Sequence, residues 1–151
     1  MRILYHHRTR GAGVERVHIQ GIARALRALG HQVDVMSVTG LEHAGSGATP
    51  AMTKSRKWAM VHSLTTRIPE FLFEFLELAY NMVAAVRVRR YIRDHRPQLV
   101  YERYSLFLWA GMWVAKRAGI PIILEVNDSA VVARVRPLFF KWLARFIEGW
   151  I

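Results

Sequence analysis

The chain switches between two hydrophobic periods, and the switches mark its elements. Ile3-Leu4-Tyr5 is a continuous apolar run almost at the terminus, with no room for a helix before the glycines that follow. It predicts a buried first strand over Arg2–His6. Arg10-Gly11-Ala12-Gly13 predicts a tight loop. From Val14 the period becomes 3.6. Val14, Val17, Gly21 or Ile22, Ala25 and Leu29 are expected on one face, and Arg16, Gln20, Arg24 and Arg27 on the other. Glu15 complements the helix dipole in the first turn, and Gly30 suits the left-handed position past the end. His31 to Val38 then reads as a second strand, completing a βαβ unit.

Thr39 to Thr53 is rich in Gly, Ala, Ser and Thr and reads as a long loop. A basic cluster, Lys54-Ser55-Arg56-Lys57, follows it, and Trp58–His62 reads as a short strand. Pro69 opens the longest helix in the position it prefers. Glu70, Glu74 and Glu77 occupy its early turns, and Arg87, Arg89, Arg90, Arg93 and Arg96 crowd its end. Phe71, Phe75, Leu78, Met82 and Ala85 form its apolar stripe, which ends before Pro97. Gln98–Glu102 and Ile120–Val126 read as strands around a helix from Leu106 to Ala118 that Gly119 closes. Pro137–Ile151 reads as an amphipathic helix with Phe139, Trp142, Phe146 and Trp150 on one side and Lys141, Arg145 and Glu148 on the other. The order predicts one α/β domain over residues 1–151, a Rossmann-like, doubly wound, mostly parallel sheet.

Composition narrows the class. Apolar residues are 52% and charged residues 22%, which excludes a disordered or collagen-like chain. There is no cysteine, so disulfides, thiolate metal sites and cysteine nucleophiles are excluded. Lys and Arg number 22 against 11 Asp and Glu, a net charge of +11. Such a surface attracts phosphates, in nucleotides, anionic lipid headgroups or nucleic acid. No nucleic acid partner is expected, because zinc-finger spacing, an RNP-type aromatic motif and a basic region with heptads are all missing. The longest uncharged run, Tyr104–Ala115, is too short to span a bilayer. A cytoplasmic protein, peripheral at the inner face of the membrane, is expected.

Ligands of doubly wound sheets bind beyond the carboxyl ends of the strands, where strand order reverses. Three polar clusters are expected to meet there: His7 to Glu15, Glu102 to Ser105, and Asn127-Asp128-Ser129. The candidate substrate-binding residues are Gly11, Gly13, Glu102, Arg103, Asn127 and Asp128. Gly11 and Gly13 let backbone approach a phosphate or sugar at the helix N-terminus. A glycine turn that only admits the chain to the helix accounts for them equally well. Glu102 is suited to holding sugar hydroxyls or taking a proton, and Arg103 to gripping phosphate; an ion pair at the sheet edge competes with both roles. Asn127–Ser129 reads equally as a turn or cap. A nicotinamide site fits poorly, because Arg16 stands where the third glycine belongs and Asp34 lies in mid-strand. No cofactor or metal is expected: His6 and His7 point to opposite sides of an extended strand, and each of the seven histidines reads as a surface or capping residue.

Four stretches resemble family 4 glycosyltransferases: Met1 to Glu15, Gly21 to Val35, Tyr101-Glu102-Arg103-Tyr104-Ser105-Leu106-Phe107, and Gly119 to Asn127. The resemblance implies the two-domain GT-B architecture and transfer of a sugar from a nucleotide donor with retention, without an obligatory metal, as in polysaccharide biosynthesis. It assigns the N-terminal domain to a sugar or lipid-linked acceptor. The C-terminal domain, which carries an E-x7-E motif in such enzymes, would hold the donor; this chain has no such motif. Many relatives carry His where Asn127 stands, and an amide does not titrate, so the resemblance gives Asn127 no acid–base role. The expectation is an incomplete, acceptor-side domain, inactive alone. A non-catalytic basic module at a membrane surface, or one subunit of a split transferase, stays open beside it.

Overall fold

The computed structural model describes residues 1–9, 13–38, 40–42, 70–127, 129 and 138–151. The loop from Arg10 to Ala12, the basic cluster, the Trp58–His62 strand, Pro69 and Pro137 lie outside the described residues. The elements are β1 (Arg2–His7), α1 (Gly13–Ala28), β2 (Gln32–Met36), β3 (Leu41–Glu42), α2 (Glu70–His95), β4 (Leu99–Tyr104), α3 (Ala110–Arg117), β5 (Ile122–Val126) and α4 (Lys141–Trp150). The strand order is β3-β2-β1-β4-β5, parallel throughout except for β3, which runs antiparallel to β2. The two-residue β3 falls inside the stretch expected to be loop throughout.

β1 lies at the centre with helices on both faces, which is why Ile3, Leu4 and Tyr5 run on without polar alternation and are all fully buried. Leu4, Met36, Val100, Val88, Tyr91, Val114 and Ala115 form the core under α2 and α3. Ile3, Tyr5, Val33, Val35, Ile19 and Ala23 form the core under α1. Each large apolar side chain buried this way contributes about 1.5–3 kcal/mol.

Two glycines end helices as their positions predict. Gly30 and Gly119 have φ of 82° and 68°. The N–H groups of Gly30 and His31 return to the carbonyls of Arg27 and Leu26, and those of Gly119 and Ile120 to Lys116 and Ala115. Both are Schellman closures, which satisfy carbonyls the helix leaves open.

The buried faces of two helices differ from the periodicity. On α1, Val14 and Val17 are exposed, as is Leu29 just past its end, and Ile19, Ile22, Ala23 and Leu26 face the sheet. The i, i+3, i+4, i+7 set in the middle of the helix packs on the sheet, leaving the apolar residues at its ends in solvent. On α2, Phe71, Phe75 and Met82 are exposed, while Glu74, Asn81, Ala84 and Val88 are buried. Hydrogen bonding decides that rotation, because Glu74 and Asn81 are the partners of later helices.

The helix expected from Leu106 begins at Ala110 instead. Leu106 and Phe107 form a turn, closed by the Leu108 N–H on the Ser105 carbonyl at 2.9 Å, in which Phe107 takes a φ of 64°.

Candidate functional site at the carboxyl edge of the sheet

β2 pairs on one side of β1 and β4 on the other, so strand order reverses between β1 and β4. The register sets His6 beside Glu102 and His7 beside Arg103. β5 continues the row with Leu124 beside Glu102 and Glu125 beside Arg103. Because alternate side chains leave opposite faces of a strand, these tips build two separate clusters.

On the face under α2 and α3, His6 Nδ1 donates to Glu102, at 2.8 Å from Oε1 and 2.9 Å from Oε2. Both side chains are fully buried. Gly111 of α3 makes room for them: a Cβ there would stand 2.6 Å from Glu102 Oε2 and 2.9 Å from His6 Nδ1. Glu102 therefore meets His6, rather than projecting beyond the strand.

On the face under α1, Glu125 is the hub. Its Oε1 accepts from Arg103 Nη1 at 2.7 Å, Asn127 Nδ2 at 2.7 Å and His18 Nε2 at 2.9 Å. Its Oε2 accepts from Tyr5 Oη at 3.2 Å. Burial alone would raise the Glu125 pKa, but the hydrogen bond from Asn127, with Arg103 and His18, holds it below its usual value. Burial also pushes the Tyr5 hydroxyl up, with the Glu125 carboxylate adding to the effect. His7 shares this face, beside Tyr5 and within 3.1 Å of Thr9 Oγ1. Burial, with His6 and Arg103 nearby, lowers its pKa to about 4, so its ring is neutral at physiological pH.

The expected site residues thus divide. Arg103 and Asn127 come together on Glu125, and Glu102 lies on the opposite face with His6. Glu102 and Arg103, adjacent in sequence, are not an ion pair with each other. Gly13 is the first residue of α1, whose His18 reaches Glu125. Gly11 and Asp128 lie outside the described residues. Ser129 donates to Glu148 of α4 at 3.2 Å. The expectation that each histidine sits at the surface or in a cap fails for His6 and His7, which are buried. Asp34 accepts from Tyr91 Oη inside the core, which accounts for its mid-strand position.

Sequence reasoning passed over Glu125, His6, His18 and Gly111. The signal for Glu125 was a lone charge in an apolar strand. The others are meaningful only once register and helix docking bring them into contact. Among the described residues no group of three or more His, Asp or Glu could hold a metal ion. A shallow groove lined by Met112, Trp113, Lys116, Ile122, Leu124 and Trp150 shares none of the expected site residues.

A doubly wound domain whose polar tips meet at the reversal of strand order carries its candidate site where such sheets bind ligands. The chain belongs to the glycosyl transferase 4-like domain family, which matches residues 13–151. No curated protein and no solved structure matched it.

Proposed function

We propose that this domain is the acceptor-binding half of a retaining glycosyltransferase that takes its sugar from a nucleotide donor. The observation that carries the reading is the pair of clusters at the ends of β1, β4 and β5, in a domain of this family. Arg103, Asn127 and Glu125 supply both donors and acceptors, as recognition of hydroxyls and phosphate requires. Gly13 is the first residue of α1, and the N–H groups at a helix N-terminus suit an anionic or polar ligand. Donor contacts and the second wall of the cleft would come from a further domain or subunit, and positioning of both reactants requires both walls.

The test incubates the purified chain with labelled nucleotide sugars and sugar or lipid-linked acceptors. The expected outcome is acceptor binding without turnover. Turnover above the no-enzyme control overturns the assignment as a half-site. Tight nucleotide-sugar binding without any acceptor binding reverses the assigned roles.

A membrane-facing reading accompanies it, favoured by one observation. The rings of Phe71 on α2 and Phe139 before α4 lie 6.1 Å apart, joining two exposed apolar stripes into one patch. Trp142 and Phe146 are each 70% exposed, while Leu143, Ala144 and Ile147 face the core. Lys141 and Arg145 flank the aromatic side. No helix among the described residues is long and apolar enough to cross a membrane. Peripheral binding to the cytoplasmic leaflet, where a lipid-linked acceptor would be presented, fits this surface.

A further inference from the structure

Three buried polar atoms near the carboxyl end of β1 have no hydrogen-bond partner among the described residues: His6 Nε2, Arg8 Nη1 and Tyr80 Oη. They belong to one side of the sheet. His6 turns toward α2 and α3, where it meets Glu102. Arg8, two residues on, reaches α2 through a 2.7 Å ion pair with Glu77. Tyr80 follows Glu77 by three residues and so shares its helix face. Burial raises the Tyr80 pKa; Arg87 opposes the shift by its charge and as a nearby donor, Glu102 adds to it and Arg8 opposes it, so the hydroxyl feels both ends of the cluster; Arg87 approaches the hydroxyl without reaching hydrogen-bond geometry. Arg87 itself donates to the Val38 carbonyl at 3.2 Å. The Arg8 side chain keeps 17% exposure, so the cluster reaches solvent at its outer end.

Unpartnered polar atoms are costly in a core, and three on the packed elements β1 and α2 of one sheet face have the character of a binding site. Glu102 presents both oxygens to Nδ1 of His6, which places a ring proton there; in the neutral ring Nε2 then carries the lone pair. Arg8 Nη1 only donates, and Tyr80 Oη does either. A matching ligand must donate to one nitrogen and accept from another. An alcohol hydroxyl does both, whereas a carboxylate only accepts and a cation is repelled by Arg8.

We propose that His6 Nε2, Arg8 Nη1 and Tyr80 Oη form a subsite for a sugar hydroxyl, with Glu102 as the positioning residue that fixes the His6 tautomer. The proposal rests on the acceptor-binding reading and names the atoms that would take the acceptor. Gly111 belongs to the device, because a side chain there would drive Glu102 off His6.

The test follows the ¹⁵N resonances of the His6 ring in the full labelled chain during titration with methyl hexopyranosides and, separately, inorganic phosphate. The free protein should show the Nδ1–H tautomer. A methyl hexoside should shift Nε2 saturably. Tyr80→Phe should weaken that response about fivefold, the worth of one hydrogen bond, while leaving the thermal midpoint unchanged or higher. Glu102→Gln, whose amide can donate to Nδ1, should mix the tautomers before any sugar is added. The variants are compared with wild type across pH, because Glu77, Glu102, Arg8, Arg87 and His7 all bear on the ring. A response to phosphate but to no glycoside would make this an oxyanion site and overturn the proposal. So would a Tyr80→Phe variant that loses stability yet keeps the full sugar response. Glycoside shifts at Arg103 and Asn127 with His6 silent would remove the subsite and leave the acceptor-binding reading standing. No glycoside response anywhere would remove both.

Discussion

Glu74 and Asn81 stand seven residues apart on α2, and each closes the N-terminus of a different helix. Glu74 accepts from the backbone N–H groups of Phe139 and Phe140, at 2.7 and 2.8 Å, at the start of α4. Asn81 Oδ1 accepts from Trp109 and Ala110, both at 3.0 Å, at the start of α3. Its Nδ2 donates to the Phe107 carbonyl at 2.7 Å. Neither α3 nor α4 has a side-chain cap of its own. The heptad spacing puts both polar groups on the buried face of α2, so one helix fixes where two others begin.

Asn81→Ala should cost about 2–4 kcal/mol, because it strands two N–H donors and one carbonyl in a buried turn. The same bond to Phe107 holds a bulky residue at positive φ, a conformation that costs about 1–3 kcal/mol unless its surroundings enforce it. Urea unfolding measures the loss. Asn81→Asp keeps the acceptor and should lose less. An unchanged midpoint for Asn81→Ala would disprove the capping role.

Gly111 and Gly21 should respond oppositely to alanine. Gly111→Ala drives a Cβ into the His6–Glu102 pair and should destabilise by about 1–3 kcal/mol. Gly21 lies in the middle of α1, where an added methyl would meet nothing within 4 Å, so Gly21→Ala should stabilise by about 0.5–1 kcal/mol. Thermal unfolding of the two variants checks both signs.

Stability should fall as the solution is acidified from about pH 6.5 to about pH 4. The folded-state pKa of His7 is lowered from 6.5 to about 4, so in that window the unfolded chain binds a proton that the folded chain refuses. The stabilisation is complete above the unfolded value and lost as pH drops toward the folded one, about 3 kcal/mol in all. Glu125, whose folded pKa lies below 4.5, releases its share only at more acidic pH. Melting temperatures against pH should show the upper part of the slope flattened in His7→Asn; an identical slope would assign it to other groups.

The exposed aromatic patch should bind anionic vesicles. Each basic group near such a surface contributes roughly 1 kcal/mol before screening, so Lys141 and Arg145 with their neighbours suffice for reversible attachment. Co-sedimentation should rise with anionic lipid, fall with salt and weaken in the Trp142→Glu, Phe146→Glu double variant. Equal pelleting with and without vesicles would mean self-association through the patch.

Periodicity and punctuation alone determined the element order, the parallel α/β class and the glycine closures at Gly30 and Gly119. These depend on local backbone geometry and on which stretches are apolar enough to be buried. The meeting of the β1 and β4 tips was also legible, because a chain that crosses from one side of a strand to the other leaves few topologies. Which partner each tip residue takes was not. Glu102 and Arg103 are neighbours in sequence, yet the pleat sends one to His6 under α3 and the other to Glu125 under α1. The same holds for α2, whose apolar positions predicted one buried face while Glu74 and Asn81 turned another inward. A buried carboxylate or amide is tolerated only where specific N–H groups meet it, and those groups lie on elements dozens of residues away. Sequence spacing encodes the period of a face; only the packed structure supplies the donors that decide which face is buried.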